Sequence, residues 1–203
     1  MLYEADKGEG AIVLKHKKAF DSRSETERFL IRPLQADDYG EWLDGFLNRF
    51  PSRNRHDNGK IDMGECTEEW FDNLVKKHQE LASDDAAYIF GIFRKADGMH
   101  VGMIDFSTLA REEFQWGRIG YTIHNQFWRM GYAKEAVKEA LHIAFTDLGF
   151  HRIEAHINVD NMPSIHLAES VGMKFECIRE GFIFENGEWT DHVVYSILQQ
   201  NSY

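Results

Sequence analysis

The sequence contains few cysteines and comparatively few basic residues. Only Cys66 and Cys177 occur among 203 residues, so neither a metal-binding cysteine spacing nor a disulfide framework is expected. Lysine and arginine number 23 against 34 aspartates and glutamates, which gives a formal charge of −11. This balance argues against a general nucleic-acid binder, because phosphate contacts need clustered basic side chains. It favours a cationic partner such as an amine or a basic protein.

Long apolar segments are also missing. No run approaches the roughly 20 residues that cross a membrane as a helix. The first ten residues, MLYEADKGEG, lack the basic-then-apolar pattern of a signal peptide. The small number of cysteines predicts a protein of the reducing cytoplasm. The lack of a long apolar run argues against a membrane partner. Hydrophobic residues still make up 43% of the chain, enough for a substantial core.

Apolar patterns predict a single α+β domain over residues 28–199, preceded by an N-terminal extension, residues 1–27. The apolar run 12–14 in that extension suits one edge strand. Strand patterns lie at 28–34, 87–93, 100–106, 116–123, 151–159, 173–184 and 189–198. Helical spacing occurs at about 36–50, 67–81, 132–148 and 162–171. The expected result is a mixed sheet of six or seven strands with helices on its faces. The polar loop 51–65 is predicted to be the most flexible segment.

The stretch FWRMGYAKEAV, residues 127–137, places a glycine where a helix begins without a Ser, Thr or Asp to cap it. The first amides of a helix lack intrahelical acceptors, and the helix dipole makes that end partly positive. Gly131 therefore indicates either a pyrophosphate site or a tight turn that needs glycine for its dihedral angles. Neither G-x-x-x-x-G-K-[ST] nor a strand-to-helix G-x-G-x-x-G occurs, which argues against nucleotide-hydrolysing and dinucleotide-dependent enzymes.

Four segments in this order resemble the GNAT superfamily of acetyl-CoA-dependent N-acetyltransferases, specifically its ribosomal-protein (RimJ/RimL-like) subgroup. The segments are FLIRPLQADD, IGYTIHNQFWRMGYAKEAV, NVDNMPSIHLAESVGMKFE and NGEWTDHVVYSIL. They extend over about residues 28–199. The resemblance implies a central mixed sheet that is splayed into a V and flanked by helices on both faces. It also implies acetyl-CoA in the cleft between the strands at 116–123 and 151–158.

The resemblance also assigns cofactor-binding residues. The family loop pattern [Gln/Arg]-x-x-Gly-x-[Gly/Ala] falls on residues 128–133, with Trp128 in place of Gln or Arg. Asn161 matches a pantetheine contact, and Ser164 matches a serine near the thioester sulfur. Both residues also suit the N-terminal cap of the short helix. The backbone amides expected to hold the pyrophosphate belong to Arg129, Met130, Gly131, Tyr132, Ala133 and Lys134.

Direct acetyl transfer to an amine requires a proton acceptor, a donor to the developing oxyanion and a donor to the departing thiolate. A backbone N–H near Tyr121, Thr122 or Ile123 could serve the oxyanion, and the Ser164 hydroxyl could protonate the thiolate. No nucleophilic cysteine is required when the amine attacks directly. Candidates for the proton acceptor are Glu112, Glu113, Glu154, His156, Glu180, Glu185 and His192, with a water chain as the alternative.

The catalytic assignment is Ser164 with Glu154 and His156. The last two lie on the polar face of a predicted strand, where solvent exposure is the ordinary expectation. His151 and His156 should face opposite sides of that strand, so no metal site is expected. Arg49, Arg53 and Arg55 are expected to be surface charges.

The sequence therefore predicts an N-acetyltransferase that uses acetyl-CoA and acts on a primary amine, such as the N-terminus of a ribosomal protein. One alternative is an acetyltransferase for a small amine, namely a polyamine, an antibiotic or an amino acid. The other alternative is a non-catalytic acyl-CoA-binding module. Monomer and homodimer both remain open.

Overall fold

The computed structural model describes residues 19–200, and these contain eight strands in one sheet, four α-helices and two short 3-10 helices. The strands are β1 Ser24–Glu25, β2 Phe29–Arg32, β3 Ala87–Arg94, β4 His100–Ala110, β5 Trp116–Ile123, β6 Arg152–Asn158, β7 Lys174–Glu185 and β8 Glu188–Leu198. The α-helices are α1 Tyr39–Leu47, α2 Glu68–Ser83, α3 Tyr132–Thr146 and α4 Met162–Ser170. The 3-10 helices are Ala36–Asp38 and Asn125–Phe127.

The sheet has the order β1-β2-β3-β4-β5-β6-β8-β7 and confirms the predicted mixed α+β fold. It contains one strand more than the upper predicted number, because Ser24–Glu25 pairs with β2. The apolar run 12–14 lies outside the described residues. Asn186 and Gly187 form the turn that joins β7 and β8, and their φ angles of 53° and 89° are positive, as a tight hairpin requires.

The strands β5 and β6 are parallel neighbours that pair only at their beginnings. Their last paired residues are Arg118 and Glu154, although β5 continues to Ile123 and β6 to Asn158. By contrast, β5 pairs with β4 as far as Ile123, and β6 pairs with β8 as far as Asn158. The sheet therefore splits between β5 and β6 into the predicted V.

Helices cover both faces of the sheet because strand side chains alternate between them. On one face, α3 and α4 pack against apolar strand residues such as Phe90, Ile104 and Ile153. On the other face, a smaller cluster joins Trp42 of α1 and Phe71 of α2 to residues including Phe93. Within residues 19–200, no helix is both long and apolar enough to traverse a lipid bilayer.

The loop 51–65, predicted to be the most flexible segment, is anchored through Asp57. The carboxylate of Asp57 accepts hydrogen bonds from Arg49 Nη2 at 3.1 Å, from Asn125 Nδ2 at 3.0 Å and from the Gly59 amide at 2.8 Å. Burial acts to raise the pKa of Asp57, but these hydrogen bonds outweigh it and lower that pKa. Arg49 is buried beside Asp57, so its predicted surface position is wrong. Its carboxylate partner, Asp57, lies in a loop whose polar composition predicts only solvent-exposed side chains.

Two buried histidines lie beneath α1. His124 Nε2 is 3.1 Å from His100 Nδ1, and a Cβ on Gly45 of α1 would stand 2.9 Å from His124 Nε2. Burial lowers the pKa of His100 to about 4 and, together with the His100 and Arg49 charges, lowers the pKa of His124 to about 3. Both rings are therefore neutral at neutral pH.

Candidate active site

The start of α3 is open to an anion. Gly131 is the N-cap at φ 72°, and no side chain caps the helix. Within the described part of the chain, the amides from Arg129 to Lys134 donate no hydrogen bond. Gly131 adopts a left-handed conformation, as a tight turn requires, and it leaves the neighbouring backbone uncovered. Free amides at the positive end of a 15-residue helix suit a pyrophosphate.

The loop around Gly131 presents two cations. Arg129 and Lys134 are exposed, and neither forms an ion pair with another residue between 19 and 200. Trp128 instead has a structural role, since its Nε1 donates to the carbonyl of Ile123 at 2.8 Å. This bond ties the loop to the end of β5 and accounts for a tryptophan where the family pattern has Gln or Arg.

The start of α4 lies beside β5, across the V. Asn161 is the N-cap of α4, and its side-chain oxygen accepts from the Ser164 amide at 3.4 Å. Asn161 is therefore the cap, and Ser164 is the residue that is capped. The Tyr121 hydroxyl donates to the Ser164 carbonyl at 3.2 Å. Burial raises the pKa of Tyr121 to about 12, against a smaller lowering effect of Ser164. Tyr121 thus stays protonated and fixes Ser164 near the splayed strands.

On β6, Glu154 and His156 form a buried pair. His156 Nε2 is 2.7 Å from Glu154 Oε2, and the two side chains are only 4% and 2% exposed. The expected solvent exposure is therefore wrong: the Phe182 side chain of β7 lies with its ring centroid 5.1 Å from that of His156. Arg152 Nη2 also lies 2.6 Å from Glu154 Oε1.

The protonation of this pair suits a base. Burial lowers the pKa of His156, and Glu154 only partly offsets this effect. With Nε2–H donated to Glu154, the second ring nitrogen of the neutral imidazole carries a lone pair. That nitrogen, Nδ1, is buried and has no hydrogen-bond partner within residues 19–200. His156 also lies beyond the last β5–β6 pair, on the wall of the V.

The structure separates the remaining base candidates. Glu112 and Glu113 lie in the turn before β5, so they are about 20 Å along the strand from Thr122. Glu180 is exposed on β7.

Glu185 and His192 lie at the open end of the V. Glu185 accepts from Asn158 Nδ2 and, at 2.8 Å, from Thr190 Oγ1. His192 Nε2 is 3.8 Å from Glu185 Oε1. These contacts fix an acidic group at that end of the sheet.

The sequence reasoning missed one acidic residue, Asp105. It lies on β4 opposite Gly120 of β5, and its Oδ1 is 2.5 Å from where a Cβ on Gly120 would stand. The glycine thus makes room for the carboxyl group near the point where the V opens. Burial raises the pKa of Asp105, and Arg118 opposes that effect. The sequence does place Asp105 between two apolar residues, Ile104 and Phe106, and both of these are buried.

The described residues hold no group of three or more His, Cys, Asp or Glu side chains that could bind a metal ion.

Comparisons with known proteins agree with this geometry. Residues 28–174 match the acetyltransferase (GNAT) domain family. The Bacillus subtilis (strain 168) protein named "Probable N-acetyltransferase YjcK" is 33% identical over 61% of this chain and 68% of its own. The Escherichia coli (strain K12) ribosomal protein uS5-alanine N-acetyltransferase is 24% identical over 85% of this chain and 88% of its own.

A solved structure shows the same fold. Mycobacterium smegmatis RimJ in complex with CoA-disulfide superposes with a TM-score of 0.69 and 22% identity, over 84% of this chain and 81% of that one. Together with the V-splayed sheet and the family match over residues 28–174, this places the chain in the GNAT family, as an N-acetyltransferase.

Proposed function

We propose that this enzyme uses acetyl-CoA and transfers the acetyl group directly to a primary amine, with a protein N-terminus as the first acceptor class. The observation that carries the proposal is the uncapped start of α3, whose free amides lie next to the opening between β5 and β6. The CoA-disulfide complex of the M. smegmatis neighbour supports the choice of cofactor.

The residues around Gly131 suit the phosphates of the cofactor. The amides from Arg129 to Lys134 would hold the pyrophosphate, and the two side chains at those positions would add positive charge. Asn161 would contact the pantetheine arm, and the edge of β5 from Tyr121 to Ile123 would lie by the acetyl group. When bound, acetyl-CoA supplies a thioester carbonyl that an amine can attack.

Three groups of the chain would handle the protons and the developing charge. His156 Nδ1 would accept the proton of the acceptor amine, while Glu154 holds Nε2–H and keeps the ring in that tautomer. A backbone N–H on the unpaired edge of β5 would stabilise the oxyanion. The hydroxyl of Ser164, whose backbone carbonyl accepts from Tyr121, would donate a proton to the departing thiolate.

The acceptor class is inferred from charge and from the relatives. Glu185 carries negative charge near the open end of β6, and the whole chain has a formal charge of −11, which suits a cationic acceptor. The E. coli uS5-alanine enzyme aligns over 85% of this chain, which favours a protein N-terminus. Cys66 and Cys177 are both free thiols, which supports the cytoplasm as the compartment.

An acceptor screen tests the proposal. Acetyl-CoA consumption is measured with N-terminal peptides, including ribosomal-protein N-termini, and in parallel with polyamines, aminoglycosides and amino acids. Calorimetric titration with CoA accompanies the screen. Turnover with peptides supports the proposal, and turnover confined to small amines replaces the acceptor class. CoA binding without turnover on any amine would instead favour an acyl-CoA-binding module.

A further inference from the structure

The turn before β2 reaches across to the start of α3. Arg28 Nη2 lies 2.6 Å from Glu135 Oε2, and Arg28 Nη1 donates to the carbonyl of Met130 at 2.9 Å. Thr26 Oγ1 donates to Glu135 Oε1 at 2.5 Å, and the Arg28 amide donates to the same oxygen at 3.0 Å. One short turn thus binds both the first turn of α3 and the loop that precedes it.

The bond to Met130 fixes the direction of one peptide group. In a trans peptide, the carbonyl and the following N–H point in opposite directions. Because the Met130 carbonyl points to Arg28, the Gly131 N–H points away from it. This amide belongs to the row that donates no hydrogen bond within residues 19–200.

The guanidinium itself has little charge left to offer a ligand. Nε and Nη2 are engaged by Glu135, Nη1 is engaged by Met130, and the group lies over the Tyr132 ring with its Cζ 4.8 Å from the ring centroid. The carboxylate of Glu135 also neutralises it. Its contribution is therefore the shape of the loop rather than an added positive charge.

We propose that Arg28 is a positioning residue for the CoA phosphates: by holding the Met130 carbonyl, it aims the Gly131 amide at the pyrophosphate. This inference rests on the proposed use of acetyl-CoA. Two other roles are possible for the same contacts. Arg28 could attract phosphate by charge alone, or it could merely fasten β2 to α3.

Three variants of the full chain separate these roles. Arg28→Met removes the donors, and Arg28→Lys keeps the charge but loses the planar fork that reaches Glu135 and Met130 together. Lys95→Met is the matched control, because Lys95 bonds to Glu25 at 2.8 Å and supports the same turn without touching the loop. Dissociation constants are measured by calorimetry for CoA. Michaelis constants are measured for acetyl-CoA and for acetyl-pantetheine, which lacks all the phosphates.

For Arg28→Met we expect CoA to bind about tenfold more weakly, the loss for one misdirected charge-assisted hydrogen bond. The Michaelis constant for acetyl-CoA should rise while kcat at saturation and the Michaelis constant for acetyl-pantetheine stay unchanged. Arg28→Lys should bind CoA as poorly as Arg28→Met, and Lys95→Met should match the wild type.

Several results would overturn the inference. Recovery of CoA affinity in Arg28→Lys would assign the effect to charge, and equal losses with acetyl-CoA and acetyl-pantetheine would assign it to general structure. If Arg28→Met does not fold, Arg28→Lys alone decides, because wild-type affinity there contradicts the positioning role. A wild-type chain that does not bind CoA would remove the proposed cofactor together with this inference. Wild-type binding with an unaffected Arg28→Met would remove only the inference.

Discussion

Substitution of Gly131 can separate a ligand-binding role from a purely conformational one, because Gly149 provides a matched control. The two glycines lie at opposite ends of α3, about 20 Å apart. Gly131 has φ 72° and Gly149 has φ 69°, so an alanine at either position meets the same left-handed strain. A Cβ on Gly149 would find no atom within 4 Å, and one on Gly131 would have Arg28 Nη2 at 3.6 Å, an ordinary contact.

If both positions keep the observed dihedral angles, an alanine therefore meets a similar strain at the two sites. A Cβ in the left-handed region costs roughly 1–2 kcal/mol, and neither variant adds a steric clash. At Gly131, the loop can relieve this strain by rotating away from the observed dihedral angles. CoA must then restore them, and the same roughly 1–2 kcal/mol corresponds to about five- to thirtyfold weaker binding. Gly131→Val should lose more, because a β-branched residue is least tolerated at positive φ.

Thermal unfolding and calorimetric titration with CoA provide the measurements. Gly131→Ala should unfold at or above the temperature of Gly149→Ala, and only Gly131→Ala should bind CoA more weakly. Wild-type affinity in Gly131→Ala would show that the glycine serves only the turn. An equal loss of affinity in Gly149→Ala would show that a general loss of stability is responsible.

Three further predictions concern protons. Ser164→Ala should lower kcat by about 10²–10⁴-fold with CoA affinity near wild type, whereas Asn161→Ala should weaken CoA binding and lose about 1 kcal/mol of capping stability; a fully active, stable Ser164→Ala enzyme contradicts the donor role. Because burial lowers the pKa of His156, kcat should decline on acidification only below pH 6.5, and this decline should be absent in His156→Gln. A decline that begins above pH 6.5 would contradict the base assignment. The buried His100 and His124 have pKa values of about 4 and about 3, so the unfolded chain binds more protons below about pH 6.5. The free energy of unfolding should therefore fall on acidification, by up to about 1.4 kcal/mol per pH unit for each histidine. Urea denaturation at pH 7 and pH 5 should show this pH dependence, and it should be weaker in His124→Gln. An unchanged pH dependence in His124→Gln would refute the contribution of that histidine.

Local patterns in the sequence were sufficient for the four α-helices, for seven of the eight strands and for the place of the proposed phosphate loop. The alternating segment 116–123 coincides with β5, and the near-continuous apolar segment 87–93 falls within β3. Burial repeats every two residues in a strand and every three to four in a helix, so it is recorded within short windows. The missing cap before Tyr132 is equally local, since caps lie within one turn of the helix start.

Which polar groups are buried together was decided only by the tertiary structure. In the sequence, Glu154 and His156 have the pattern of a solvated strand face, but the folded chain buries both and brings Phe182 against the imidazole. The Arg28–Met130 bond joins residues 102 positions apart, and composition near either residue contains no trace of the other. Burial, and the pKa shifts that follow from it, depend on which segments the folded chain stacks on a given side chain. A single sequence records the polarity of that side chain, and only the fold determines its neighbours.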